Sequence, residues 1–165
     1  TQRTRLVLVG GSEGEHSFDW LRVLAADLGV ADQVSWHTAV PQQELVDFYA
    51  AADLCAVPSF HESFGLVALE AMACGRPVVA AAVGALSGNV IEGETGCLVR
   101  SHNPIDFAHC IGDLLANPRA RTPMGNAGIE HAKTFTWLSA ADQALEGYQR
   151  AASRFERHAD VTACL

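Results

Sequence analysis

An α/β architecture, a Rossmann-like parallel sheet with helices on both faces, follows from three features of the chain. Short apolar runs recur: Leu6-Val-Leu-Val9, Asp53-Leu-Cys-Ala-Val57 and Pro77-Val-Val-Ala-Ala-Ala-Val83. Glycine or proline bounds each of them, the mark of strands buried on both faces. Between the runs lie segments whose apolar residues repeat every three to four positions, as on one face of a helix. Strands and helices therefore alternate, the pattern of βαβ units around a parallel sheet.

In chain order, Arg5 to Gly10 reads as the first strand and Gly11 to Ser17 as a loop. Phe18 to Leu28 carries Trp20, Leu21, Leu24, Ala25 and Leu28 at helical spacing, and Gly29 ends it. Val34 to His37 is a second strand. Pro41 opens a helix through Leu45, Phe48, Tyr49 and Ala52, and Asp53 to Pro58 is the third strand. Gly65 to Cys74 is a helix of good formers, with Gly75 at the C-cap. Pro77 to Val83 is a fourth strand closed by Gly84, Asn89 to Glu92 a helical turn, and Gly96 to Val99 the last strand. From Pro104 the spacing predicts helices at Ile105–Leu115, Pro118–Met124, Ala127–Phe135 and Trp137 to about Arg157, with Trp137 and Tyr148 packing the last of them. A chain of 165 residues fits one domain, taken as residues 1–150, with 151–165 as helix end and fraying tail.

Composition excludes several functions. With 49% hydrophobic and 18% charged residues the chain is an ordinary globule, and its net charge of −8 lacks the basic footprint of a nucleic-acid binder or a polybasic membrane surface. No apolar run approaches the roughly 20 residues needed to cross a bilayer, and no signal peptide precedes the first strand. The chain opens on Thr1 rather than Met, which suggests an excised piece. The five cysteines, Cys55, Cys74, Cys97, Cys110 and Cys164, are odd in number and form no C-x-x-C pair. They read as reduced core residues of a cytoplasmic protein. None of the seven histidines shows metal-ligand spacing, and no D-x-D occurs, so no cofactor and no essential metal are expected.

The informative stretch is Pro58-Ser-Phe-His-Glu-Ser-Phe-Gly-Leu-Val-Ala-Leu-Glu70, where a strand ends, a polar loop follows and a helix starts near Ser63 to Gly65. Open α/β sheets bind ligands beyond the carboxyl ends of their strands. A helix N-terminus there offers unpaired N–H groups and a positive dipole end, both suited to a phosphate. Glu62 and Glu70 flank that start, eight positions apart (70 − 62). Ionised carboxylates only accept hydrogen bonds, and two of them serve a polyol well. Two plainer readings stand beside this one. Glu62 could simply cap the helix, and Glu70 could lie on an exposed face.

The run from Glu62 to Glu70, continued by Ala-Met-Ala-Cys-Gly-Arg-Pro-Val-Val, resembles the E-x7-E signature of the retaining GT-B glycosyltransferases of family 4 (group 1). Pro58-Ser59, Ala80 to Gly84, Gly93-Glu-Thr-Gly96 and Phe135-Thr-Trp137 fall in matching order, so the resemblance covers about Leu6 to Tyr148. Within that family the chain most resembles the branch that transfers N-acetylglucosamine to inositol phosphate in mycothiol synthesis. The resemblance implies the C-terminal, donor-binding half of a GT-B hexosyltransferase and a nucleotide-sugar donor, in all expectation UDP-linked. Glu62 would hold the transferred sugar as the catalytic residue. Ser63, Phe64, Gly65 and Leu66 would face sugar and phosphates, Glu70 would hold the ribose, and Val40 would border the base.

The chain departs from the family in places. Gly84-Ala85 stands where Gly-Gly is usual, with Ala85 expected to narrow the backbone approach, and Ser87-Gly88-Asn89 is also unusual. The family's diphosphate-clamping Arg and Lys, its central first strand and its N-terminal acceptor-binding domain would all precede Thr1. That domain is an implied partner, and a homodimer stays open. The run Val9-Gly-Gly-Ser-Glu-Gly14 fails as a dinucleotide fingerprint because Val9 stands where glycine is required. Gly10 and Gly11 instead suit a tight turn lining the diphosphate. A non-catalytic nucleotide-sugar-binding module and a GT-B-like epimerase are the alternatives. Binding without turnover is expected of this piece alone.

Overall fold

The structure, a computed structural model, describes residues 4–11 and 18–162. Most of the expected Gly11–Ser17 loop, and Cys164, lie outside the described residues. Two compact units form, Thr1–Phe48 and Tyr49–Leu165. Among the described residues all strand pairing is parallel, as the alternation of elements predicts, and it is divided between two sheets.

In the first unit, β1 (Leu6–Val9) pairs with β2 (Val34–His37), Leu6 opposite Val34 and Val9 opposite His37. Between them runs α1 (Asp19–Asp27), with an acidic residue in its first turn, where it meets the positive dipole end. Phe18 lies 5.6 Å from Trp36 between ring centroids, and the Arg22 guanidinium sits 4.8 Å from the Trp36 ring. Trp20, Val23 and Leu28 of this helix region are exposed.

Helix α2 (Gln42–Ala51) bridges the division of the chain and leads into the second unit. There β3 (Cys55–Val57), β4 (Val78–Ala81) and β5 (Gly96–Val99) pair in that order. Central β4 is wholly buried, which is why it is built only of Val and Ala. Its side chains alternate between faces. Val78 and Ala80 join Met72, Leu69 and Ala68 of α3 (Leu66–Ala73) and Leu86 of α4 (Leu86–Asn89) in the larger core cluster. Val79 joins Val99 and Leu114 of α5 (Pro104–Ala116) in a second cluster. Helices thus cover both faces of this sheet. Met72 and Leu86 are fully buried, and each such side chain contributes roughly 1.5–3 kcal/mol relative to exposure.

Helix α6 (Pro118–Ala132) packs on α3 and, with Pro123 inside it, is continuous where two helices divided after Met124 were expected. Proline costs the helix one internal hydrogen bond. Tertiary packing offsets that loss, because Gly125 and Gly128 lie against Gly75 and Met72 at a separation that leaves no room for a side chain at Gly125. Helix α4 lies three residues before the expected turn at Asn89–Glu92, since Gly84 and Ala85 already begin the turn that carries the Asn89 N–H onto the Ala85 carbonyl. Helix α7 (Trp137–Thr162) runs past Arg157. Trp137 is 93% exposed and Tyr148 75%, so neither packs the helix as expected: helical spacing marks an apolar face but does not supply a surface to cover it.

Cys97 of β5 and Cys110 of α5 are joined as a disulfide, whereas Cys55 and Cys74 are free, so the expectation that all cysteines are reduced holds only for the latter pair among the described residues. Among the described residues no helix is long and apolar enough to cross a membrane.

Candidate functional site

Strand β3 ends at Val57, and Pro58, which has no N–H to donate, closes it. The chain then crosses the carboxyl end of this sheet through Ser59–Phe64 and turns into α3 at Gly65, the N-cap. Gly65 has φ +81°, a left-handed conformation natural to glycine. The N–H groups of Gly65 and Phe64 both donate to Glu62 Oε1, at 3.0 and 3.4 Å. Glu62 is half-buried and does cap the helix, the plainer of the two readings its position allowed. Capping does not exhaust the carboxylate, because both N–H groups use one oxygen and a carboxylate has acceptor sites on two.

A second segment grips this loop. Gly84, after β4, has φ +48°, and a Cβ built on it would fall 2.0 Å from the Glu62 carbonyl oxygen. The adjacent Ala85 N–H donates to that same oxygen at 3.1 Å. Ala85 itself has φ −65°, open to any residue, and the close approach to the Glu62 carbonyl belongs to Gly84. Further along, the buried Asn89 donates through Nδ2 to the Phe64 carbonyl.

Glu70 stands on α3 and is half-buried rather than fully exposed. Its Oε2 accepts a hydrogen bond from the Tyr49 hydroxyl at 3.0 Å. Burial, and then the bond to Glu70 and its charge, push the Tyr49 phenol well above its ordinary range. Burial, with Glu70 second, raises the Cys55 thiol from 9.0 to about 11, and burial also raises Cys74. Each raised group is neutral when protonated, so folding favours the protonated form. The stability this confers is full below pH 9 and is lost as pH climbs through 11, by about 3 kcal/mol for the Cys55 shift alone. Thermal melts of Cys55→Ala should show a shallower decline between pH 9 and 11 than wild type.

The structure therefore brings Glu62, Phe64 and Gly65 together with Gly84 and Asn89, and Glu70 together with Tyr49. Ser63, Phe64 and Leu66 are exposed at the helix start. As at any α-helix start, the first N–H groups here have no partner within the helix. Gly10 and Gly11 lie in the first unit, past the end of β1, with φ +143° and +76°. They are tied to the end of β2 by Gly10 N–H to His37 O and Ala39 N–H to Gly11 O. Val40, half-buried, follows β2 in the same unit. Asn89 and Tyr49 were not singled out as site residues from sequence. The unusual Ser87-Gly88-Asn89 was the only signal for the first, and Tyr49 looked like one more apolar residue of α2. Among the described residues no group of three or more His, Cys, Asp or Glu side chains is placed to hold a metal ion.

Comparison with known proteins identifies the family. The family model described as "Glycosyl transferases group 1" matches residues 1–131. A D-inositol 3-phosphate glycosyltransferase of Corynebacterium aurimucosum is 48% identical over 153 residues, which are 92% of this chain and 36% of the relative. One from Stackebrandtia nassauensis is 44% identical over 154 residues, 92% of this chain and 35% of that protein. The chain thus spans about a third of the length of these relatives. Among solved structures, sucrose-phosphate synthase from Thermosynechococcus elongatus aligns with a TM-score of 0.77 at 37% identity, over 91% of this chain and 39% of that one. Anabaena HepE in complex with UDP aligns with a TM-score of 0.74 at 27% identity, over 89% and 41%. The chain belongs to the group 1 glycosyl transferases.

Proposed function

We propose that this chain is the donor-binding half of a retaining glycosyltransferase that moves a sugar from a nucleoside-diphosphate sugar, uridine-linked, to an acceptor hydroxyl. The observation that carries the reading is the start of α3. The Glu62 carboxylate, which accepts from the Phe64 and Gly65 N–H groups on one oxygen, has acceptor capacity left for a sugar hydroxyl, and the dipole end beside it suits a diphosphate. Glu70, oriented by Tyr49, would take the ribose diol. Ser63 to Leu66 would present N–H groups to sugar and phosphate, with Gly10 and Gly11 on the diphosphate and Val40 beside the base. Fixed N–H donors at the site where the leaving diphosphate gathers charge lower the barrier to its departure, and Glu62 contributes by positioning the sugar.

Two relatives named for transfer to D-inositol 3-phosphate, and a UDP complex of a neighbour, support an inositol phosphate acceptor and a uridine donor. An acceptor-binding domain supplied by further chain, and a cytoplasmic setting, belong to the same proposal. Calorimetric titration of the chain with UDP should give saturable one-to-one binding. No binding of UDP, ADP or GDP at millimolar concentration would refute the reading.

A further inference from the structure

Glu70 lies on α3 between Leu69 and Ala71, both buried, and its Oε2 accepts from a neutral partner, the Tyr49 hydroxyl, at 3.0 Å. A free glutamate side chain has many rotamers, and fixing one costs conformational entropy. Tyr49 supplies the fixed point. Its ring packs, part-buried, against the core cluster that contains Leu69 and Met72, so the hydroxyl sits on a held arm. The end of α2 that carries it is tied down in turn. Arg76, three residues past α3, donates from Nη1 to the Ala52 carbonyl at 3.0 Å and from Nε to the Cys74 carbonyl at 3.1 Å. One guanidinium therefore joins the two segments that bear the tyrosine and the glutamate.

Burial, and then the bond to Glu70 and its charge, favour the protonated phenol, so Tyr49 is the donor of this pair at neutral pH. A carboxylate has about four acceptor sites, and the phenol takes one of them, on Oε2. The directions of the others follow from that bond. Along α3, at about 1.5 Å per residue, Glu70 lies roughly 7.5 Å beyond Gly65, comparable with the span from a β-phosphate to its ribose. Ribose differs from 2′-deoxyribose by one O–H donor. A site built around such a donor rejects the analogue that lacks it, because a part-buried acceptor is then left short of a partner. Rejection is sharp only when that acceptor is held and cannot swing to another partner.

We propose that Tyr49 is a positioning residue that holds the Glu70 carboxylate in one orientation and so gives the donor site its selectivity for ribose over 2′-deoxyribose. The inference rests on the donor-site reading above, in which Glu70 takes the ribose diol. Tyr49 itself touches no part of the ligand; it acts through Glu70. Its loss should therefore weaken UDP more than 2′-deoxy-UDP, which has only the 3′ hydroxyl to offer.

The test is calorimetric titration of the 165-residue chain with UDP and, separately, with 2′-deoxy-UDP. Tyr49→Phe removes the hydroxyl and keeps the ring in the core; Tyr49→Met, unbranched and adaptable, is the second variant should the first unfold. The expected result is a wild-type preference for UDP of tenfold or more, cut at least threefold by either variant. In a Glu70→Ala background the preference should be lost, and adding Tyr49→Phe should change it by less than twofold. Equal losses for the two ligands would mean a merely structural role, and no loss for either would mean none. A further change in the Glu70→Ala background would mean that Tyr49 acts by another route. Each of these overturns the inference while leaving the donor reading intact. A wild-type chain that binds both ligands equally overturns the inference and the ribose role of Glu70 with it, and one that binds no UDP overturns the donor reading as a whole.

Discussion

Glu62→Ala or Glu70→Ala, made in the protein that carries this chain, should each lower kcat/KM for sugar transfer by tenfold or more. Tenfold corresponds to about 1.4 kcal/mol of lost transition-state stabilisation, within reach of a single charged hydrogen-bonding group. The two variants should differ in form. Glu62 lies at the helix mouth, its carboxylate on the Phe64 and Gly65 N–H groups. Removing it frees those groups and leaves the reacting sugar unoriented, so most of the loss should appear in kcat. Glu70 sits deeper on α3, paired with Tyr49, and is assigned the ribose. Its loss weakens ground state and transition state together and should appear mainly in KM. Steady-state kinetics with varied donor separates the cases. Wild-type values for both variants would remove the assigned roles.

Gly84→Ala should be nearly as damaging, although residue 84 bears no functional group. Its φ of +48° costs a non-glycine residue roughly 1–2 kcal/mol, and the new methyl would fall 2.0 Å from the Glu62 carbonyl oxygen. Backbone lies on both sides of that contact, so the clash is relieved only by moving the Glu62 loop. UDP affinity should drop tenfold or more, with a lower melting temperature. Ala85→Gly, one residue on and at φ −65°, should leave affinity within about twofold, apart from a small entropic loss of stability. Equal effects at the two positions would show that the close approach at Gly84 does not hold the loop.

Much of this was legible in the chain itself, and the reasons are local. The β3–loop–α3 passage could be read because proline, a polar loop, a glycine and a run of helix formers follow one another within Pro58–Ala73, each acting on its own backbone. The helix begins at Leu66 with Gly65 as cap, one residue from the expected start. Short elements were harder. Helix α4 has four residues, too few for a period, and its position follows from contacts with Glu62 and Phe64. The break expected between Met124 and Ala127 is overridden by packing of α6 on α3. The partners of the site were out of reach for a further reason. Asn89 meets Phe64 across 25 positions and Tyr49 meets Glu70 across 21, and no spacing rule pairs residues so far apart. Likewise, nothing in the helical spacing of Trp137 and Tyr148 says whether another surface will cover them.

The central claim is that the amino end of α3 receives a nucleoside diphosphate. Amide chemical-shift mapping of the isotopically labelled chain during titration with UDP reads it most directly. The account predicts that the largest saturating shifts fall on the amides of Phe64, Gly65 and Leu66, with smaller ones at Ala85 and Asn89. Saturating shifts elsewhere on the chain, with those three amides unmoved, would contradict it.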